Sequence, residues 1–284
     1  MRKLSKPSDL PGVVFMLCVS SVRDKLLKAR FTRVKSDIEA AAAKYEMAAT
    51  TTALHTLPVE KDVAGVVTKD EMESLYKGRM VKGQGRVIYD KLMMLPANGI
   101  CPLCGHRTVS TLDHHLPKAM FPSLAVTPIN LVPACGDCNK AKLEERPATP
   151  QEQTFHPYFD DFGRDRWLHA DVVQDSPPTV RFFVQPPANW PPLWGARAQH
   201  HFATLKLGVL YASQAGQELA NIRHHLMTLS VLGGTAAVQK HLTEQAISRE
   251  LANPNSWQTA MYRALSTSAW FCADGFAKIP QAGS

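Results

Sequence analysis

Four cysteines stand in two CxxC pairs, Cys101 with Cys104 and Cys135 with Cys138, inside the segment CPLCGHRTVSTLDHHLPKAMFPSLAVTPINLVPACGDCNKAK (residues 101–142). A CxxC turn presents two thiolates to one ion without straining the backbone. Two such turns complete a tetrahedral zinc site that leaves no position for water, which makes the predicted ion structural rather than catalytic. No strand–helix context of the thioredoxin kind surrounds either pair, and nothing marks the chain as secreted, so redox and disulfide readings fit less well.

Between and within the knuckles lie residues of a different chemistry. Asp113 and Asn139 offer oxygen donors, the hard type that suits Mg²⁺ or Mn²⁺, and Ni²⁺ is also compatible. His114 offers an imidazole that titrates near neutral pH and can take a proton from water. Thr111–Pro117 reads as a short strand ended by proline, and Asn130–Ala134 as a second strand. Asp137–Glu145 has helical composition with a carboxylate in its first turn. Such a strand–loop–strand–helix unit, pinned by zinc, would bring Asp113 and Asn139 together.

These residues, LDHHLPK followed by NLVPACGDCNKAK, resemble the HNH (ββα-metal) nucleases, in the subgroup with a four-cysteine zinc knuckle. The resemblance covers about residues 99–146. It implies that Asp113 is a metal-binding acid, His114 the general base and Asn139, where the family has its last His or Asn, a second metal ligand. Asn130 matches the asparagine that fixes the loop between the strands. The chain departs from the pattern in carrying a second histidine, His115, directly after the base. The implied reaction is phosphodiester hydrolysis, with one divalent ion binding a scissile phosphate oxygen and the leaving oxygen. A base of this kind contributes on the order of 10²–10⁴ in rate.

Other residues of the segment carry weaker expectations. On a strand His115 points away from the face of His114, so it is a packed or solvated histidine unless a bulge swaps the two. Arg107, Lys118, Lys140 and Lys142 are candidate phosphate contacts or solvated charges. His156, in the aromatic stretch His156–Phe162, could add a metal ligand or anchor the following strap to the core.

The remaining sequence must position this unit. The expected class is α+β and mostly α-helical: a small zinc-pinned ββα-metal (HNH) core at 99–146 flanked by helices. Residues 1–98 form an N-terminal helical region. There Ser21–Thr50 reads as helix, Thr68–Glu71 as a capping box opening a helix to about Met80, and Gly83 and Gly85 as a hinge. Arg86–Leu95 then reads as a helix with Val87, Ile88, Leu92 and Leu95 on one side. A proline-rich strap at 147–195 contains a hairpin of Arg166–Val173 with Thr179–Val184. Residues 196–284 read as helices, one carrying Leu205 and Val209, one ending at Gly233-Gly234. The doublets His200-His201 and His224-His225 are expected at the surface, and Cys18 and Cys272 as small core residues.

With 32 Lys and Arg against 25 Asp and Glu, the formal charge is +7, which suits a nucleic-acid partner without requiring one. No run is long and apolar enough to span a membrane. The apolar Val13–Val19 is interrupted upstream by Pro7, Asp9 and Pro11 and followed by charged helix, so it does not read as a signal peptide. Cytoplasmic residence is expected. The layout, an HNH unit with helical flanks, resembles the nuclease subunit of Septu-type anti-phage systems, which act beside an ATPase partner. Two alternatives stay open: a non-catalytic zinc-knuckle module that binds nucleic acid, and an RNA-directed toxin nuclease. A homo-oligomer is compatible with the helical C-terminal region.

Overall fold

The structure, a computed structural model, describes residues 2–142 and 146–280. It is α+β and mostly helical, with three separate two-stranded antiparallel sheets. Two compact units divide the chain, residues 1–161 and 162–284. The first unit takes in both the N-terminal helices and the cysteine-bearing segment.

The first unit opens with α1 (Pro11–Ser20), α2 (Lys25–Arg33) and α3 (Lys35–Thr50). The apolar stretch around Val13–Val19 is explained by its place in the core: Val14, Phe15, Cys18 and Val19 of α1 are all buried. A helix apolar on most sides belongs in an interior. The expected helix from Ser21 to Thr50 is broken at Val34, which is buried and leaves the α-helical region between α2 and α3.

A tiny hairpin of β1 (Asp62–Val63) and β2 (Val67–Thr68) leads into α4 (Lys69–Leu75). The capping box is present at its start. Glu71 N–H donates to Thr68 Oγ1, and Thr68 N–H donates to the Glu71 carboxylate at 2.9 Å. The helix runs on to Met80 as expected, but its last five residues, Tyr76–Met80, wind as a π-helix. A π-turn is rare, and it often marks a position where a side chain must be re-aimed.

Gly83 and Gly85 follow and separate two helices as expected, but as a packed turn rather than a loose hinge. Gly85 is buried, and a Cβ placed on it would stand 2.7 Å from Cys18 Sγ and 2.8 Å from Met80 Cα. The glycine is there because the backbone passes too close for a side chain. Next, α5 (Arg86–Met93) buries Tyr89 and Leu92 and leaves Val87 63% exposed. Ile88, Leu92 and Leu95 of the expected stripe pack into the core, and Tyr89 rather than Val87 completes the buried face.

The chemistry-bearing segment is built from β3 (Thr111–His114), β4 (Leu131–Ala134) and α6, described from Gly136 to Lys142. The strands are antiparallel, with Asp113 opposite Val132 and His114 opposite Leu131. Leu143, Glu144 and Glu145, read from sequence as the end of this helix, lie outside the described residues. Leu112 and Leu131 join one apolar cluster with α1, α4 and α5. Leu116, Phe121, Leu124 and Ile129, from the loop between the strands, join a second with Tyr45 and Ala49 of α3. The N-terminal helices therefore supply the core on which the β3–β4 loop is laid.

In the second unit, β5 (Leu168–Val173) pairs with β6 (Thr179–Val184), two residues shorter at its start than expected. Asn255 pins the start of β5, accepting from the backbone N–H of Trp167 and Leu168. Four helices complete the unit: α7 (Pro192–Thr204), α8 (Leu207–Ala252), α9 (Trp257–Thr267) and α10 (Ala269–Ala273). Non-helical backbone at Gly233 and Gly234 folds α8 into two arms, so the expected break is present. The buried stripe of its first arm is Leu207, Leu210, Tyr211, Ala215, Leu219 and Leu226, while Val209 is exposed. Of the histidines expected at the surface, His224 and His225 are exposed, His225 lying 4.5 Å between ring centroids from His241 of the opposite arm, whereas His201 is fully buried. No helix among the described residues is long and apolar enough to cross a membrane.

Candidate metal centre and its neighbouring acid–base residues

The two CxxC turns converge. Cys101, Cys104, Cys135 and Cys138 are all buried, and their Sγ atoms lie within 4.8 Å of one another. A tetrahedral ion with thiolate bonds of about 2.3 Å keeps its sulfurs about 3.8 Å apart, so the cluster can close on one ion with small adjustments. In each turn a backbone amide already points at sulfur: Arg107 N–H donates to Cys104 Sγ and Cys138 N–H to Cys135 Sγ, both at 3.4 Å. Gly105 allows the first turn with a positive φ of 63°. Hydrogen bonding from Cys101 holds the Cys104 thiol well below its ordinary range and brings Cys135 down to about 7, whereas Cys101 and Cys138 are pushed up. Thiolate is the form in which sulfur binds metal. The site is closed and can hold a metal ion such as zinc.

Asp113 and His114 leave β3 on opposite faces, as strand geometry requires. Asp113 points at α6. Its Oδ2 accepts from the Lys142 ammonium at 2.6 Å, and the same ammonium donates to the His114 carbonyl at 2.9 Å. Burial raises the pKa of the Asp113 carboxyl, and Lys142 opposes that rise. Lys142 is therefore not the surface phosphate contact its sequence position suggested: its side chain is 8% exposed and spent on the strand. Asn139 lies one helical turn before Lys142, on the same face of α6, and is half-buried.

The His114 ring faces the other way. Its Nε2 is 2.9 Å from the Ala125 carbonyl, and Tyr76 of the π-turn packs against the ring at 4.5 Å with a 68° interplanar angle. A carbonyl oxygen can only accept, so Nε2 carries the hydrogen and Nδ1 the lone pair. Burial pushes the imidazole down to about 3, so the ring is neutral throughout the physiological range. No hydrogen bond joins the side chains of Asp113, His114 and Asn139 to one another among the described residues.

Asn130 is fully buried and stitches the β3–β4 loop. Its Oδ1 accepts from Leu116 N–H at 2.8 Å, and its Nδ2 donates to the carbonyls of Leu116 and Leu124. Buried His115 packs against His156 at 4.1 Å between ring centroids. His156 spends both nitrogens on protein: Nδ1 accepts from Tyr158 N–H at 3.2 Å, and Nε2 is 2.9 Å from the Tyr45 hydroxyl. That leaves neither nitrogen of His156 for an ion. Arg107 pairs with Asp137 at 2.9 Å. Lys140 is exposed, and Lys118 is half-buried.

Sequence reasoning missed Tyr45, Glu73 and Tyr76. The Tyr45 hydroxyl has its pKa raised well above normal, first by burial and then by the charge of Asp113, so α3 reaches the Asp113 side. Tyr76 lies against His114, and the carboxylate of Glu73 also acts on that ring. No local pattern marks these three, because each is brought in by tertiary packing.

The molecule is thus a mostly helical α+β protein with a buried four-cysteine cluster in its first unit and an aspartate and a histidine on the adjoining strand. It is 32% identical over 233 residues to protein Ea31 of Escherichia phage lambda, an alignment spanning 76% of this chain and 78% of that protein. The chain belongs to the Ea31 family. No protein-family profile matches it. No solved structure matches it either.

Proposed function

We propose that the chain is a metal-dependent endonuclease that hydrolyses phosphodiester bonds, with DNA the favoured substrate and zinc held by the four cysteines. The observation that carries this reading is the fixed tautomer of His114. Its Nε2–H is tied to the Ala125 carbonyl, which leaves Nδ1 as a neutral proton acceptor one residue from a buried carboxylate. A binding module has no need of such a base.

The donor set suits a hard divalent ion. Asp113 Oδ2 is taken by Lys142, its other oxygen makes no hydrogen bond among the described residues, and Asn139 offers an amide oxygen from the same face of α6. When bound there, Mg²⁺ or Mn²⁺ would neutralise charge developing on a phosphate. His114 Nδ1 would accept the proton of the attacking water. Lys142 would keep the Asp113 carboxylate oriented and compensated, and Asn130 would keep the loop that carries the Ala125 carbonyl in register with β3. Lys118 and Lys140 are the cations best placed for flanking phosphates, with Arg107 held at Asp137 until a stronger anion competes.

The Asp113–Lys142 pair supports a second reading, the zinc-knuckle binding module, in which the carboxylate serves only to neutralise a buried lysine. Metal-dependent nicking of supercoiled plasmid, compared between the wild type and His114→Ala at equal zinc content, separates the two. An ATPase partner and an anti-phage role belong to the same proposal on the resemblance in layout. Co-purification with a candidate ATPase tests them.

A further inference from the structure

The N-terminal region, which the HNH resemblance does not cover, contributes a second flank to the site. Tyr76 sits 4.5 Å from the His114 ring, which fixes the end of α4 and its π-turn beside the proposed base. Lys69 and Glu73 lie one turn apart on α4, and Lys77 follows four residues later in the π-turn. Lys77 donates to Glu73 at 3.0 Å. The charge of Lys118, four residues after His114, also reaches Glu73. The Lys77 hydrogen bond, with the charges of Lys118 and Lys69, holds the Glu73 carboxyl below its usual range. The charge of Lys118 also acts on Asp113 and His114.

Lys69 and Lys77 thus stand one turn either side of Glu73, and the charges of both, with that of Lys118, act on this glutamate. Lys118 makes no hydrogen bond or ion pair among the described residues, although it is half-buried. The Lys77–Glu73 pair is a solvated i, i+4 contact with the lysine 68% exposed, and such pairs contribute only about 0.3–0.5 kcal/mol. Both cations are therefore free to exchange their present surroundings for a phosphate.

We infer that α4 and its π-turn form a flank of the site that takes the sugar-phosphate backbone of a nucleic acid, with Lys69, Lys77 and Lys118 as its phosphate contacts. The inference rests on the nuclease reading of Asp113 and His114, and it assigns the substrate path to residues outside the knuckle. Glu73 acts within it as an internal counter-ion that the phosphates must displace.

The test is binding of a short fluorescein-labelled DNA duplex to the zinc-loaded full chain without added divalent ion, read by anisotropy across a range of NaCl. Each lost phosphate contact lowers the slope of log K against log salt by about 0.9. Lys77→Ala with Lys118→Ala should lower it by about 2, and adding Lys69→Ala should lower it further, whereas the exposed Lys25→Ala on α2 should leave it unchanged. Glu73→Gln should tighten binding, a sign that general damage to the fold does not produce. If the wild type binds and the lysine variants keep its slope, or Glu73→Gln weakens binding, the inference is overturned and the nuclease reading stands. If the wild type does not bind nucleic acid, both fall.

Discussion

The Lys142 ammonium lies 2.6 Å from the Asp113 carboxylate, with both side chains less than a tenth exposed. Removing one partner of a buried pair leaves the other charge uncompensated, typically at about 3–5 kcal/mol. Lys142→Met should lose stability of that order by urea unfolding at pH 7. Without Lys142, the folded-state pKa of Asp113 rises further above its unfolded value. The stabilisation from protonation is then fully present below the unfolded pKa and lost as pH rises through the folded one. The deficit of the variant should therefore shrink on acidification. A variant equally destabilised at pH 4 and pH 7 would contradict the pairing.

The Asn130 side chain makes three hydrogen bonds to the backbone of its own loop. Asn130→Ala strands those groups in a buried site and should cost about 2–4 kcal/mol. Asn130→Asp keeps the acceptor but turns a charge towards the Leu116 and Leu124 carbonyls, so it should be at least as damaging. Thermal melts of the two variants decide this, and a neutral Asn130→Asp would refute the assigned donor pattern.

His114 carries a pH signature of its own. Burial holds its folded pKa at about 3, below the ordinary imidazole value of 6.5. Its contribution is present above the unfolded pKa and lost as pH falls from there towards the folded value, because only the unfolded chain takes the proton. Stability of the wild type should fall more steeply between pH 7 and pH 4 than that of His114→Gln. Parallel curves would mean that the ring is solvated and free to protonate.

The four-cysteine centre should be one ion per chain and structural. Metal analysis of the purified chain should give a stoichiometry near one zinc, and Cys135→Ala or Cys138→Ala should abolish it. Ion binding by such sites supplies folding free energy directly, about 10–16 kcal/mol in isolated peptides. Loss of the ion should accordingly expose the β3–β4 segment to proteolysis before the rest of the chain. A metal-free chain with unchanged protease resistance would show that the thiols serve another end.

These residues differ in how far the sequence disclosed them. The cysteine cluster, the β3–β4 pairing, the capping box at Thr68 and the break at Gly233-Gly234 were legible because each is encoded within a few residues. Lys142 was legible as a cation but not as a buried one. Its position three residues after Asn139 puts it on the Asn139 face of α6, and only the packing of that helix against β3 shows that this face is turned inward. Val87 and Val209 were misplaced because a hydrophobic stripe gives a helix's period but not which flank meets a larger neighbour. The π-turn at Tyr76 has no sequence signal. The HNH resemblance ends at its own segment, so it is silent on α3 and α4, which bring Tyr45 and Tyr76 to the site.

His114 is proposed as the base of a hydrolysis that needs a divalent ion. Supercoiled plasmid incubated with Mg²⁺ or Mn²⁺ tests it most directly, with wild type, His114→Ala and Asp113→Ala compared after matching zinc content and melting behaviour. The account predicts nicking or linearisation by the wild type that requires the added ion, and a loss on the order of 10²–10⁴ in rate for His114→Ala. A folded His114→Ala variant that cuts as fast as the wild type would contradict it. So would a wild type that binds the plasmid and leaves it intact with either ion.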